Sequence, residues 1–399
     1  MRAVITGATG IVGRHLMFEL IKRHADDLDA LDLVILGRAG GGRSLGARVR
    51  KILLEDGLPY VANGLHEAPD LAEYADAGVR CIDTDLNQDG LGLSAEGVRA
   101  LSGAPIDLLI HAAAVTDLRD SRTAELAVEE TNVRGTRRLL KLLAGLDVRE
   151  LSYIGSAYCC GEASGLVGPD YVSSGHSFRN PYEASKMQAE VEVRRFADRS
   201  GVRCRYFRPS IVSGRLIEPP LGSISNFNVF YGLGVFLLRT KMAMLPDGAD
   251  ILRDPLELDL RACCTGDCGL NIVPADFVAK AICEVCLSHD EGESYHIVNA
   301  GDTPTTLLVP LLMESLNIHG FRLVDHVPTD QNRIEQLFYK TVGAYLTPYA
   351  RPHDVTFDTS SLAPVLERAG LECPPVDAGN FRILMQYAKE QCFGVCEEC

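Results

Sequence analysis

The chain has 399 residues, 46% of them apolar, enough for one large α/β domain plus a smaller appendage. A formal charge of −15 without any Lys/Arg run argues against a nucleic-acid surface and for a small-molecule partner. The longest apolar stretch, Phe227 to Leu238, is interrupted by Asn228 and followed by Arg239 and Lys241; it falls short of the roughly 20 residues a spanning helix needs.

Ala3-Val4-Ile5 runs directly into Thr6-Gly7-Ala8-Thr9-Gly10-Ile11-Val12-Gly13, and Val12, Leu16, Met17, Leu20 and Ile21 recur behind it at helical spacing. This predicts a strand, a glycine turn and a helix. Such a turn aims free backbone N–H groups and the positive end of a helix at one spot, which suits a pyrophosphate. Gly7 supplies the tight turn, Gly10 lets phosphates approach, and Gly13 lets helix and strand pack closely. Thr6, Thr9, Ile11 and Val12 complete the predicted cradle. No basic and apolar leader precedes the strand, so a cytoplasmic location is expected.

Apolar runs then alternate with helical ones: Leu33-Val34-Ile35-Leu36, Val79 to Ile82, Ile106 to Ile110, Leu151 to Ile154 and Cys204 to Phe207, with helices over 11–24, 42–55, 120–144 and 181–200. Continuous apolar strands separated by helices predict a parallel sheet buried on both faces. The fold class is α/β, a Rossmann-type doubly wound parallel sheet. Leu126, Val133, Leu139, Leu140 and Leu143 read as the core stripe of helix 120–144. Beyond Gly214, Pro219-Pro220, Gly222, Gly232 and Gly234 break the alternation. The expected division is a dinucleotide-binding domain over 1–215 and a smaller α/β substrate-binding or lid part over 216–399. Segments such as 270–300 are candidates for packing back onto the sheet.

At the end of the second strand an acidic residue would bond the ribose of NAD, whereas an arginine favours the 2′-phosphate of NADP. This chain has Gly37-Arg38, with Arg14, Arg43 and Arg48 as further cations. Tyr182-Glu183-Ala184-Ser185-Lys186 places a phenol and an ammonium on one helix face, with Pro181 suited to the first turn. A phenol titrates near pH 10 and becomes a useful acid–base group beside a fixed cation. Ser156 follows the fifth strand, at the carboxyl end where open α/β sheets bind ligands.

With these pieces in order, the chain resembles the extended short-chain dehydrogenase/reductases over residues 4 to about 215. The glycine turn is similar to their cofactor turn, Asp85-Leu86 to the pair near the adenine, and His111-Ala112-Ala113-Ala114 to the fourth-strand segment beside the cofactor. Asn132-Val133-Arg134-Gly135-Thr136 resembles their mid-helix Asn motif, and Ser156, Tyr182 and Lys186 match their catalytic set. The resemblance assigns Asp85, Leu86, Ala112, Ala113, Ala114, Asn132, Tyr182, Lys186 and Pro209 to the cofactor as well. Asp85-Leu86 followed by Leu91-Gly92-Leu93-Ser94, and Arg208-Pro209-Ser210-Ile211-Val212, are most similar to the fatty acyl-CoA reductases and thioester reductase domains; Phe357-Asp358-Thr359 and the Glu335 to Tyr345 region are weaker echoes. Two departures stand out: Thr84 replaces a usual Gly, and Gly155-Ser156-Ala157 stands where Ser-Thr-Ala is usual.

What the resemblance implies is hydride transfer from NADPH, with NADH the lesser alternative, to the carbonyl of an acyl-CoA or carrier-protein thioester. Tyr182 and Ser156 would donate to the developing oxyanion, and Lys186 would lower the Tyr182 pKa and hold the ribose. The product is an aldehyde, or an alcohol after a second hydride. Rival readings are a sugar-nucleotide epimerase or dehydratase, a ketone reductase, and a non-catalytic NADPH-binding scaffold or redox sensor. Phe227 to Leu238 is either the wall of an acyl channel or a buried core helix. Arg239 and Lys241 are candidates for a phosphate or an anionic membrane surface, and Arg194, Arg195 and Arg199 for docking an acidic carrier. The thirteen cysteines read as reduced, mostly buried thiols. Cys283/Cys286 sit in a helical pattern, Cys263, Cys264 and Cys268 form a second group, and Cys392, Cys396 and Cys399 a third; no metal is assigned.

Overall fold

The computed structural model describes residues 1–172, 177–288, 290–352 and 354–395. The chain divides into two compact units. The first comprises Met1–Ser210, Ala275–Val298 and Thr356–Glu372; the second comprises Ile211–Pro274, Asn299–Val355 and the chain from Cys373 on.

The first unit is built on seven parallel strands: β1 (Arg2–Thr6), β2 (Asp32–Gly37), β3 (Val79–Asp83), β4 (Leu108–His111), β5 (Glu150–Ile154), β6 (Arg203–Pro209) and β7 (Ser294–Ile297). Their order is β7-β6-β5-β4-β1-β2-β3. The order reverses between β1 and β4, and the carboxyl ends at such a reversal leave the crevice in which doubly wound sheets bind dinucleotides. All of β1 and β4, and Leu33 to Leu36 of β2, are buried, as their unbroken apolar runs require. One core cluster joins Val4, Val34, Leu109, Leu151 and Tyr153 of the strands to Leu139 and Val193 of the helices.

The helices that matter for the site are α1 (Ile11–Arg23), α2 (Gly135–Leu143), α3 (Pro181–Ser200) and α4 (Ala275–Leu287). Helix α3 starts where the sequence signals it, with Asn180 accepting the Glu183 N–H at 3.0 Å and Pro181 in the first turn, and it stops at left-handed Gly201. The expected single helix over 120–144 is instead Arg122–Val128, a π-helical turn over Glu129–Arg134, and α2. The wider turn changes the angular phase between the two halves. Val133, Leu139, Leu140 and Leu143 are buried accordingly, whereas Leu126, expected in the same stripe, is 53% exposed.

Helix α4 and β7 belong to the first unit, because β7 pairs with β6 from Ser294↔Tyr206 to Ile297↔Pro209 and covers an edge that would otherwise be open.

The second unit has short ladders in place of a large sheet. Leu256–Cys263 pairs in parallel with Ile318–Val324, Ile211–Ser213 pairs in parallel with Ile272–Pro274, and Gly269–Leu270 pairs antiparallel with Thr303–Pro304. Around them lie helices Tyr231–Met244, Thr305–Leu316, Arg333–Lys340 and Ala378–Glu390. The apolar stretch offered as a channel wall is a core helix: Tyr231, Leu233, Phe236, Leu237 and Leu238 are buried, and Phe236 meets Phe338 edge to face. Lys241 points inward as well, donating to the carbonyls of Asp254 and Leu316 at 2.5 and 2.7 Å, which removes it from the proposed membrane or phosphate contact. Cys264 and Cys268 form a disulfide, against the expectation of reduced thiols, because the turn between them, with Gly266 at φ +60°, brings their Cα atoms to 6.8 Å. Cys283 is buried as expected. Cys396 and Cys399 lie outside the described residues. No helix among the described residues is long and apolar enough to cross a membrane.

Candidate active site

Helix α1 begins at Gly10 with no side-chain cap and no acidic residue in its first turn, so its first N–H groups and the positive helix end are left for an anion. The turn before it is tight. Gly10 N–H donates to Gly7 O at 2.9 Å, and Gly7 has φ +77°. A Cβ on Gly7 would stand 2.6 Å from Ala113 N, and one on Gly13 would collide with the Gly7 carbonyl, so only glycine fits either place. The β1 and β4 ends thus lie backbone to backbone, with Ala113 N–H donating to Thr6 Oγ1 at 3.3 Å. The uncapped helix end and the glycine turn fit a dinucleotide pyrophosphate, which Thr6, Gly7, Thr9, Gly10, Ile11, Val12 and Gly13 would surround.

The Arg14 guanidinium pairs with Asp56 at 3.0 Å and donates to Thr9 O at 3.0 Å, which ties the glycine turn to Asp56. Arg38, exposed at the end of β2, stands 3.9 Å from Asp85 Oδ1 beyond the end of β3. The following loop turns at Gly41 and Gly42, both at positive φ, and Arg48 donates to the Arg38 carbonyl at 2.7 Å. Leu86 packs against the unit's core, and Gly135 is needed beside it, because a Cβ there would lie 2.9 Å from the Leu86 Cβ. Ala112 is half-buried and Ala114 exposed.

Asn132 sits in the π-helical turn, 2% exposed, and its amide is engaged within the protein. It accepts from Val115 N–H at 2.8 Å and donates to Val115 O and to Ser185 Oγ, both at 3.0 Å. Ser185 in turn donates to the Tyr182 carbonyl at 2.8 Å. π-Turns are frequent at functional sites, and this one aims Asn132 at the helix of the tyrosine.

The Lys186 ammonium is buried, donates to Ile154 O at 2.6 Å and lies 4.7 Å from the centre of the Tyr153 ring. It thereby ties α3 to the carboxyl end of β5, two residues before Ser156. Ser156 is buried and accepts the Tyr158 N–H at 3.3 Å, capping the short 3₁₀ turn Ala157–Cys160. The Ala157–Cys160 turn packs against α3, which brings Ser156 and the helix of Tyr182 and Lys186 together. Pro209 closes β6, whose Phe207 is the register partner of Ile154.

Burial pushes the Lys186 ammonium down to about 8, with Cys159 and Glu190 pulling it back, so it is charged at neutral pH. Burial pushes the Tyr182 phenol up to about 12, against a hydrogen bond from the Thr116 hydroxyl. The expected lowering of the Tyr182 pKa by Lys186 is therefore not what this arrangement produces. Tyr182 is a phenol with its proton in place, the form that donates to an oxyanion.

Sequence reasoning missed a buried ion pair behind the site. Arg208 and Glu190, 0% and 1% exposed, make two hydrogen bonds of 3.0 and 2.7 Å, and Arg208 also donates to Tyr171 O at 2.6 Å. Gly155 lies against it: a Cβ on residue 155 would stand 3.3 Å from both Glu190 Oε2 and the Phe207 carbonyl oxygen and 3.4 Å from Arg208 Cγ, a tight fit. The signal was available, since Glu190 falls four residues after Lys186 on the same helix face. Arg194 of the suggested docking patch is not a free cation either; it pairs with Glu190 at 2.9 Å and stacks on Tyr206 at 3.9 Å. Arg195 pairs with Glu192 at 3.0 Å.

A glycine cradle at the β1/β4 reversal and a Ser–Tyr–Lys set at the ends of β5 and α3 define a nicotinamide-dependent oxidoreductase of the extended short-chain dehydrogenase/reductase type. The profile of the NAD-binding male sterility protein family matches residues 5–282, and the chain belongs to that family. No curated protein matches the chain. Among solved structures, the terminal R domain of the myxalamid PKS-NRPS biosynthetic pathway is similar at TM-score 0.73 and 21% identity, covering 98% of this chain and 91% of that one. A thiolation-reductase di-domain from an archaeal non-ribosomal peptide synthetase follows at TM-score 0.66 and 15% identity, covering 98% and 76%. UDP-glucuronic acid 4-epimerase from Bacillus cereus in complex with NAD aligns at TM-score 0.60 and 14% identity, covering 100% and 99%. At these identities the likeness is one of fold.

Proposed function

We propose that this protein reduces the carbonyl of an acyl thioester, carried on CoA or on a carrier protein, to an aldehyde, with NADPH as the preferred reductant. The observation that carries the reading is the Lys186 ammonium locked onto the Ile154 carbonyl, which holds the helix of Tyr182 against the strand end of Ser156. When bound, NADPH supplies the hydride. The chain supplies the rest: the Gly7–Gly13 turn and the α1 N-terminus would hold the pyrophosphate, and Arg38 would offer its charge to a 2′-phosphate.

Tyr182 enters the reaction protonated, and with Ser156 it stabilises the oxygen that becomes anionic as the carbonyl carbon is reduced. The phenol proton passes to that oxygen, giving a hemithioacetal, which breaks its C–S bond to release aldehyde and thiol. The phenolate left on Tyr182 takes its proton back from solvent, in the direction its raised pKa favours. Asp85, Leu86, Ala112, Ala113, Ala114 and Pro209 complete the cofactor site in this reading, and Asn132 serves it by holding Val115 and Ser185. Family membership favours a thioester over a sugar nucleotide, as does Arg38 in place of an acidic residue at the end of β2.

The test is incubation with NADPH, or NADH, and a panel of acyl-CoA thioesters, following nicotinamide absorbance and thiol release together. Loss of absorbance with matching thiol release, faster with NADPH, is expected. NADPH binding without turnover on any free or carrier-bound thioester would move the assignment to a ketone or a sugar nucleotide.

A further inference from the structure

His111 closes β4 and is 2% exposed. Its register partners are Thr6 on β1 and Tyr153 on β5, and its ring lies 5.9 Å from that of Tyr153. Both ring nitrogens are engaged: Nδ1 is 2.7 Å from Thr6 Oγ1 and Nε2 is 2.9 Å from Thr136 Oγ1.

The neighbouring bonds assign the hydrogens. Thr136 donates its hydroxyl hydrogen to Asn132 O at 2.6 Å, so its oxygen can only accept from the ring, and Nε2 carries the hydrogen. Nδ1 is then bare and accepts from the Thr6 hydroxyl, while Thr6 Oγ1 accepts the Ala113 N–H. Burial and the nearby Lys186 cation push the imidazole down to about 3, which keeps it neutral. The chain of bonds continues without a break from Asn132 to Ser185 Oγ and from Ser185 to the Tyr182 carbonyl. At one end stands Ala113, against which Gly7 packs; at the other stands the backbone of the tyrosine. Its termini are a peptide N–H and peptide carbonyls, which release no proton at neutral pH, so the chain is a brace and not a proton relay.

We infer that His111 is a positioning residue, held as the neutral Nε2–H tautomer, whose two hydrogen bonds fix the cofactor turn relative to the helix that carries Tyr182. It acts through Thr6 on one side and through Thr136 and Asn132 on the other, and touches neither cofactor nor substrate. The inference deepens the proposed reductase reading, but the brace itself does not depend on which carbonyl is reduced.

The test has two independent arms. In nitrogen-15 NMR of the intact protein, the His111 ring is expected to show a bare Nδ1 and a protonated Nε2, unchanged from neutral pH to about pH 4. Titration near pH 6.5, or the Nδ1–H tautomer, would overturn the inference whatever the substrate proves to be. The second arm compares His111→Phe, which keeps an aromatic ring beside Tyr153 but removes both bonds, with His111→Gln, whose amide offers one donor and one acceptor. His111→Phe is expected to lower kcat about 10–100-fold while NADPH affinity, read by fluorescence, changes less than about threefold, and His111→Gln to recover part of the loss. Equal kcat in wild type and His111→Phe would sink it. If His111→Phe does not fold, Thr136→Val, which removes one bond, is expected to show the same kcat-over-affinity pattern, and an unchanged kcat there also overturns it. Failure of the thioester reading appears separately, as absent turnover with the NMR signature intact.

Discussion

The two units solve the same backbone problem in different ways. In the first, seven parallel strands pair with one another from end to end, and main-chain groups satisfy main-chain groups. Side-chain chemistry then gathers where the strands stop: Thr6, His111, Ser156, Lys186 and Pro209 all lie at carboxyl ends or on the helix tied to one. In the second, ladders are short and side chains are committed to the backbone instead. The Asn271 side chain donates to Asn299 O at 3.1 Å and accepts the Asn299 N–H at 3.0 Å, and the Asn299 side chain donates to Ile272 O at 3.2 Å and Pro374 O at 2.9 Å. Tyr339 receives Cys263 N–H and donates to Arg261 O, both at 2.9 Å. A continuous sheet therefore frees polar side chains for a site, and a broken one uses them up as structure.

The contrast can be tested most sharply at the site edge. Tyr182→Phe removes one hydroxyl that closes no ladder, so turnover is expected to fall about 10²–10⁴-fold with NADPH binding and thermal midpoint nearly unchanged, read by steady-state kinetics and calorimetry. A large drop in stability would mean that the phenol is structural. Next in size, Arg208→Met leaves Glu190 buried with only Arg194 beside it, at an expected cost of about 3–5 kcal/mol in denaturant titration, read in the protection of first-unit amides. A loss below about 1 kcal/mol would show that the buried ion pair contributes no more than an exposed one.

The smaller effect belongs to the second unit. Glu335 is buried against Arg261, whose guanidinium bonds hold its carboxyl down to about 2 from an ordinary 4.5. A carboxyl more acidic folded than unfolded stabilises the fold above the ordinary value and loses that contribution as pH falls through the folded one. Second-unit amide protection is therefore expected to decline between pH 4.5 and about 2, and Glu335→Gln to remove that slope. An identical slope in the variant would place the acid sensitivity elsewhere.

Much of the first unit was legible in the residues because it rests on local rules. Unbroken apolar strands, the Gly7–Gly13 turn and the Asn180–Pro181 start of α3 each depend on neighbours within a few positions, and the expected strands all recur in the sheet. Legibility declined where phase or distance intervened. The π-turn over Glu129–Arg134 has no compositional signal, so Leu126 was assigned to a stripe that the extra residue rotates into solvent. Ladder Leu256–Cys263 with Ile318–Val324 joins segments more than fifty residues apart, which no local pattern announces.

What the sequence by itself determined is the fold class, the place of the glycine turn between β1 and α1, and the presence of Tyr182 and Lys186 on one helix, because periodicity, glycine geometry and spacing are properties of the chain. Only the tertiary structure decided what surrounds them: that Arg14 turns to Asp56, that Asn132 reaches Ser185, that the Tyr182 phenol is pushed up and not down, and that His111 is held between two threonines. Burial and hydrogen-bond partners come from residues far apart in the chain, and these set the charge and direction of each group.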